Sequence, residues 1–597
     1  MTSVDFFGII LEEDRMIKRE RILFIDSRIF RILIMRDRLL DSNSRIKVLT
    51  ICKQEFGEGM FAAAANSSYI GSRDETESRI NVMVILDFPA RKLSYEQKPL
   101  PGGVLSILAV DRRTFERDVE KDWLGGMLVE NLLMPYEPLI NDKFLWHQEV
   151  KVKKRLLIEI INNLILEYPE MSREMLLKPE FFMWEAISRK ASLYPPIICK
   201  FSSVFGGFIS KEDQESIMRG FKVALKEAEG EGIISFSKGY VRINEKYIDA
   251  VKGRKLRLLV FLRNVRNSIL RHSIEVFPKM MLSLFEDYTA YVRQSAIEGS
   301  LLSELEDTKR LIYIPTSYGL VSLSDRLTLS EFARNILSEE HGLNVKVERL
   351  GGVLNSVYLV SLLSEKKASR SVVKVFKSWY GLKWLPLALW ALGTRGFAVL
   401  GKTRLEREYA INRFLSNHGI RVPRIIHVSP AERLIFQEYV EGESLAQIIR
   451  LICSSEEDND ELYSIISNVG EEIARVHSLN VSLGDCKPEN IKLTEDGRIC
   501  FLDLEQAERG GDQAWDVAEF LYYSGHYAFM SPIKVPKRIT ESFIKGYLKG
   551  GGNAGNIEKV RSPRYVKVFS FFTPPHVLYV IANTCGRAVR EKNLEEL

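Results

Sequence analysis

Near the start of the chain, apolar-rich, strand-like runs stand at 21–36 (RILFIDSRIFRILIMR), 80–88 (INVMVILDF) and 103–110 (GVLSILAV). Polar stretches with helical spacing separate them, such as RTFERDVEKDW at 113–123, and the mixture predicts an α/β domain over residues 1–180. The pattern then becomes helical. DQESIMRGFKVALKEAEGEG reads as a helix with a glycine stop, and IISFSKGYVRINE as a hairpin turning at Lys238-Gly239, the way a winged helix ends, so 181–250 is expected to be one. A helical connector is predicted over 251–335, and LIYIPTSYGLVSLSD leads into a long α/β block over 336–597. No internal repeat interrupts this order.

Composition narrows the class without naming it. The 597 residues are 46% hydrophobic and 27% charged, an ordinary globular mixture, which excludes disordered, collagenous and coiled-coil chains. A net charge of +5 names no partner, but it conceals one basic stretch: from Lys252 to His272 seven Lys and Arg occur without an acid. Leu256, Leu259, Phe261, Leu262 and Val265 on the same stretch allow two readings, a nucleic-acid contact through 181–272 or a buried helix with a solvated basic face. The six cysteines show no CxxC pair and no metal-ligand spacing, which fits a reducing cytoplasm. The first residues lack a basic segment followed by an apolar run, so no signal peptide is expected, and no apolar run reaches the length of a membrane span.

The chemistry concentrates in LGDCKPENIKL and ICFLDLEQA. Asp485 lies in a turn ahead of Lys487, Pro488 and Asn490, and an apolar strand delivers Asp503 at its end. Phosphoryl transfer calls for such a set: one carboxylate to accept the proton of an attacking hydroxyl, and an Asn with a second Asp to hold magnesium against phosphate oxygens. Upstream, LGGVLNSVYLV sets Gly351 and Gly352 in a turn with Asn355 and Ser356 at its tip, where backbone N–H groups can approach phosphate. SVVKVFK is a β-branched strand carrying Lys374, a candidate phosphate ligand, and the helical stretch RLEREYAINRFL offers Glu408, or Glu406 in its place, as the carboxylate that keeps this lysine charged. A strand ending at Glu438, Tyr439 and Val440 is positioned to be an adenine-binding hinge, and Asp516 opens a helix in QAWDVAEFLYY.

Together these motifs resemble the protein-kinase-like superfamily, most closely its compact atypical branches: RIO-type kinases, aminoglycoside and choline phosphotransferases, and the small kinase of the tRNA-modification complex. The resemblance implies a bilobal fold over 336–597, ATP with Mg2+ or Mn2+ as cofactors, Asp485 as catalytic base with Lys487 contacting the transferring phosphate, Asn490 and Asp503 as metal ligands, Lys374 with Glu408 positioning nucleotide, and Asp516 bracing the catalytic loop. Three departures stand out. Leu483 and Gly484 replace the usual His-Arg, Glu505 replaces the Gly of DFG, and only a dozen residues separate Asp503 from Asp516, too few for a long activation loop. Lys487 points towards a serine/threonine protein substrate; the alternatives are a small-molecule or lipid-headgroup kinase and a pseudokinase scaffold. The Trp-rich insert at 379–400 reads either as a peripheral membrane contact or as packing on the small lobe. In the N-terminal part, SSYIGSRDETESRINVMVILDF resembles the nucleotidyltransferase entry motif, with Gly71 and Ser72 present but Arg79, Asn81 and, on the next strand, Ser106 where carboxylates belong. That implies an inactive relative; an unrelated α/β domain is the other reading.

Overall fold

The computed structural model describes residues 40–193, 211–252 and 307–595, apart from 41, 71–76, 88–92, 102, 125–127, 329–330, 332–343, 352–355, 364–367, 378–397, 399 and 456–458. The predicted strand at 21–36, the Gly71-Ser72 turn, the basic stretch beyond Lys252 and nearly all of the Trp-rich insert lie outside the described residues. The rest falls into two compact units, one drawn from within 1–162, 179–234 and 255–308, the other from within 163–178, 235–254 and 309–597.

The first unit contains helix α1 (Ser42–Phe56) and a sheet of β1 (Met60–Ile70), β2 (Glu77–Leu86), β3 (Leu93–Leu100), β4 (Gly103–Asp111) and β5 (Glu137–Ile140), ordered β3-β4-β2-β1-β5. Period-two patterning sends Val82, Val84 and Leu86 of β2 and Leu105, Ile107 and Ala109 of β4 into one core with Val48 and Cys52 of α1. Of the intervening positions, Met83, Ile85 and Leu108 are buried and apolar, and one cross-strand row is polar. Asn66 pairs with Asn81, and Asn81 with Ser106 in the parallel β2–β4 register. Helix α2 (Arg112–Lys121) starts where Asp111 caps Thr114 N at 2.9 Å. Helices α3 (Asp142–Glu167), α4 (Pro179–Leu193) and α5 (Lys211–Gly230) follow. Where α3 faces α5, buried Lys153 bonds Glu149 and the Ile217 carbonyl, both at 2.6 Å.

The second unit holds the motifs. A sheet ordered β10-β9-β6-β8-β7 joins β6 (Leu176–Leu177), β7 (Ile234–Ser237), β8 (Tyr240–Ile243), β9 (Ile312–Thr316) and β10 (Gly319–Ser322). The β7–β8 hairpin turns at Lys238 and Gly239, both with positive φ (48° and 83°), as a two-residue turn between twisted strands requires. Helix α6 (Glu245–Lys252) follows it, and Lys252, the first residue of the basic stretch, pairs with Glu170 at 2.7 Å.

Next comes an antiparallel sheet ordered β11-β12-β13-β15-β14, made of β11 (Asn344–Gly351), β12 (Ser356–Leu363), β13 (Ala368–Val375), β14 (Ile425–Ser429) and β15 (Leu434–Glu438). Helix α7 (Gly401–Asn417) lies between β13 and β14 in the chain. Val360, Val373, Ile426, Leu434 and Phe436 form the core of this sheet, which leaves Lys374 on its other face. The remainder is helical: α8 (Leu445–Ser454), α9 (Asp460–Ser478), α10 (Gln513–Tyr527), α11 (Lys534–Lys549), α12 (Ala554–Lys559), α13 (Pro563–Phe569) and α14 (Pro575–Glu595), with a hairpin of β16 (Ile491–Leu493) and β17 (Ile499–Phe501). Helices α9 and α11 touch backbone to backbone, since a Cβ on Gly546 would overlap the Ser467 carbonyl and one on Gly470 the Phe543 carbonyl. Among the described residues no helix is long and apolar enough to cross a membrane.

Candidate active site

Three charged side chains that are distant in sequence meet beside β13. Lys374 Nζ lies 2.8 Å from Glu408 Oε1 on α7, 3.2 Å from Asp503 Oδ1 and 3.0 Å from the Leu502 carbonyl. Glu408 is fully buried; Oε1 also accepts Gln437 Nε2 at 2.8 Å, and Oε2 accepts the Leu504 N–H at 2.7 Å. Burial disfavours a charged lysine here, yet Asp503 and Glu408 outweigh it and hold Lys374 above its ordinary value. Burial likewise opposes ionisation of Asp503, but Lys374 and Lys487 keep its carboxyl below the usual range. Of the two glutamates offered by the sequence, Glu408 therefore pairs with Lys374, while Glu406 faces elsewhere on the helix.

The loop before β16 supplies the second half. Lys487 Nζ sits 2.9 Å from Asp485 Oδ2, and Asn490 Nδ2 donates to the Asp485 carbonyl at 3.0 Å, which leaves the Asn490 amide oxygen for a cation. The Leu502 N–H donates to the Asn490 carbonyl at 2.9 Å, so the Asp485 loop and the Asp503 strand are tied by main chain. Gly484 adopts φ 77°, a left-handed conformation that disfavours other residues and accounts for glycine directly before Asp485. Beneath the loop, buried Asp516 accepts Leu483 N at 2.6 Å and Gly484 N at 2.7 Å and contacts His477 Nε2 at 3.0 Å. Glu519, one turn further along α10, accepts Cys486 N at 2.7 Å and Trp515 Nε1 at 3.1 Å. Burial and the nearby Asp485 push the Glu519 carboxyl well up.

The other predicted positions are only partly described. Gly351 ends β11 opposite Val357, and Ser356 is buried opposite Val375, whereas Gly352 and Asn355 lie outside the described residues. At the expected hinge, the Glu438 N–H donates to the Arg424 carbonyl at 3.0 Å and its carboxylate receives Arg421 at 2.5 Å, while the Val440 carbonyl accepts Lys492 Nζ at 2.9 Å. Sequence reasoning missed Gln437, His477, Glu519 and the pair Arg404–Glu505. Arg404, fully buried on α7, binds both oxygens of Glu505 at 2.8 Å and the Lys377 carbonyl at 3.0 Å. Burial and neighbouring Asp503 raise the Glu505 carboxyl to about 7 against the pull of Arg404. The available signal was Glu505 standing where a glycine is usual.

Among the described residues no group of three or more His, Cys, Asp or Glu could hold a metal by itself. Asn490 and Asp503 offer hard oxygen donors, too few for a cage and suited to a cation that completes its shell with phosphate oxygens and water, as Mg2+ does.

Residues 359–547 match the lipopolysaccharide kinase (Kdo/WaaP) family model. Over 109 residues the chain is 30% identical to the KEOPS complex subunit Bud32 of Pyrococcus abyssi, covering 18% of this chain and 47% of that protein. Over 107 residues it is 26% identical to the EKC/KEOPS complex subunit bud32 of Dictyostelium discoideum, covering 18% and 42%. The chain thus spans less than half the length of these curated relatives. Among solved structures, the M. tuberculosis PknI kinase domain is similar at 17% identity over 32% of this chain and 74% of that one, with a TM-score of 0.22. The C-terminal region carries a domain of the atypical kinase-like superfamily. Its similarities run to the lipopolysaccharide kinase family on one side and to Bud32 proteins on the other.

Proposed function

We propose that the chain is an ATP-dependent phosphotransferase, an atypical serine/threonine protein kinase working in the cytoplasm, with ATP held between two lobes of the 336–597 region. The observation that carries this reading is the convergence of Lys374, Glu408 and Asp503 with the Asp485–Asn490 loop. Lys374 would bind the α- and β-phosphates, and the backbone at Glu438–Val440 would meet the adenine edge. Asn490 and Asp503 would hold Mg2+ or Mn2+, which neutralises phosphate charge when bound. In the step itself the acceptor hydroxyl oxygen forms a bond to the γ-phosphorus while the bond from that phosphorus to the β–γ bridging oxygen breaks. The hydroxyl proton passes to Asp485, and ADP leaves with the bridging electron pair. Lys487, held charged by Asp485 although burial opposes it, is placed to stabilise the transferring group. The N-terminal part, including a winged helix at 181–250, would recruit the substrate.

A second reading has its own support. The match of 359–547 to a lipopolysaccharide kinase family favours a saccharide hydroxyl on a lipid as acceptor. One assay separates the two: the purified chain with labelled ATP and Mg2+ or Mn2+, offered a generic protein and a lipid-linked saccharide, beside Asp485→Ala. Label on protein that disappears in the variant supports the first acceptor, and label only on the saccharide supports the second. Equal label in the variant, or none with either acceptor, overturns phosphotransfer by this site.

A further inference from the structure

Glu406, left over once Glu408 takes Lys374, has its partners about 236 residues away in the chain. Its Oε1 accepts the backbone N–H of Glu170 at 2.5 Å and of Met171 at 3.0 Å. Both donors lie at the start of a tight turn, Met171–Arg173, whose first N–H groups have no partner within the turn. Glu406 is 2% exposed, so this contact is internal to the unit that contains the site.

The contact is one of several along the same helix. Lys402 pairs with Glu167 at 2.7 Å and lies over the Tyr168 ring at 3.9 Å. Tyr409 donates to the Pro315 carbonyl at 2.6 Å, and Arg413 meets Glu174 at 3.3 Å. The 167–174 segment is itself anchored to α6, through Lys252 to Glu170 at 2.7 Å and Arg173 to Asp249. On an α-helix, positions 404 and 408 lie one turn apart on one face, and 406 projects to the opposite side. The inward face of α7 holds the site through Arg404–Glu505, Glu408–Lys374 and Glu408–Leu504 N, and the outward face is held by a segment outside the 359–547 family match.

We propose that residues 167–174 form a built-in brace for α7, with Glu406 as the positioning residue that fixes Glu408, and through it Lys374, in the nucleotide-binding arrangement. This rests on the phosphotransferase reading for its kinetic consequence but not for its structural one. The two buried N–H groups demand an oxygen acceptor, and an uncharged amide oxygen has the two lone pairs they use. A glutamine supplies that oxygen and a leucine does not.

The test uses the full chain with Glu406→Leu, Glu406→Gln, Glu408→Gln and the double variant Glu406→Leu with Glu408→Gln. Nucleotide affinity is measured by titration with ATP and Mg2+, and hydrogen exchange is followed in 401–417 and 502–506. The brace predicts that Glu406→Leu weakens ATP binding at least about fivefold, that Glu406→Gln stays within about twofold, and that Glu406→Leu adds under about twofold once Glu408 is glutamine. A merely structural role gives an equal loss in both backgrounds, and that additivity overturns the proposal. If the unmodified chain binds no ATP, the phosphotransferase reading fails, and exchange alone decides the brace. Faster exchange in 401–417 with leucine but not with glutamine upholds it, and unchanged exchange with leucine overturns it. Should the leucine variant fail to fold, Glu406→Ser with Glu406→Gln as its reference gives the same comparison.

Discussion

At the scale of single residues, burial decides what each charge can do. Lys374 is 9% exposed and faces two carboxylates, so Lys374→Met removes the cation and leaves Glu408 and Asp503 facing each other. Breaking a buried ion pair costs about 3–5 kcal/mol, so the variant is expected to lose activity and also to unfold at a markedly lower denaturant midpoint. Replacing Asp485, 21% exposed at its loop, is expected to abolish transfer while moving that midpoint little. Glu406 gives a pH signature. Burial raises its carboxyl from 4.5 to about 7; the Met171 and Glu170 N–H groups and Lys252 oppose this, and the Glu170 carboxylate adds to it. A raised acid contributes stability that is whole below pH 4.5 and lost as pH rises through 7, a loss on the order of 3 kcal/mol. Glutamine does not titrate, so Glu406→Gln is expected to match the unmodified chain near pH 4.5 and to melt several degrees higher at pH 8. Thermal scans across that range check it, and parallel curves would remove the assignment. The sequence offers Glu408 first as the partner of Lys374, with Glu406 in its place, and spacing alone does not separate them, because both lie on one helix and the lysine is more than thirty residues away. Asp485, Asn490 and Asp503 were legible because nineteen residues contain all three and the spacing itself carries the chemistry.

At the scale of elements, local signals were read well where the backbone left few choices. The hairpin turn at Lys238-Gly239 follows from residue type and position alone, whereas the helix expected to open at Asp516 begins three residues earlier, at Gln513, where Asp512 caps Trp515 N. Contacts between elements were not visible in the pattern. Arg404 and Glu505 are 101 residues apart, and nothing in either local sequence announces the other. The α9–α11 crossing is of the same kind, and it yields a prediction. Gly546→Ala adds a methyl where the Ser467 carbonyl already sits, so two helices must separate. The intrinsic helical gain of alanine over glycine is about 1 kcal/mol, and overpacking costs about 1–3 kcal/mol, so a net destabilisation of up to about 2 kcal/mol is expected. Denaturant titration measures it. Because α9 also carries His477, which contacts Asp516 under the Asp485 loop, turnover is expected to fall with stability. A stabilised variant would show that the helices adjust without strain.

At the scale of the whole molecule, the resemblance to kinases covers 359–547, yet the compact unit around the site also draws on 163–178, 235–254 and 309 onward. Those segments supply Glu167, Glu170, Pro315 and Glu174, partners of Lys402, Glu406, Tyr409 and Arg413 over about three turns of α7. They also pair Ser317 N with the Ile425 carbonyl at 3.1 Å, tying β14 to the turn between β9 and β10. A fragment of 336–597 would keep every proposed catalytic group and lose all of these partners, leaving Glu406 and Tyr409 in water or facing empty apolar surface. An enzyme with a self-sufficient kinase domain would bind nucleotide equally well in either form. The braced arrangement predicts that ATP with Mg2+ raises the melting temperature of the full chain, by about 2.7 kcal/mol of stabilisation at a hundredfold excess over its dissociation constant, and raises that of the fragment much less. If the fragment is soluble and shows the same ligand-induced shift as the full chain, the surrounding segments do not position the site, and the family-matched region works alone.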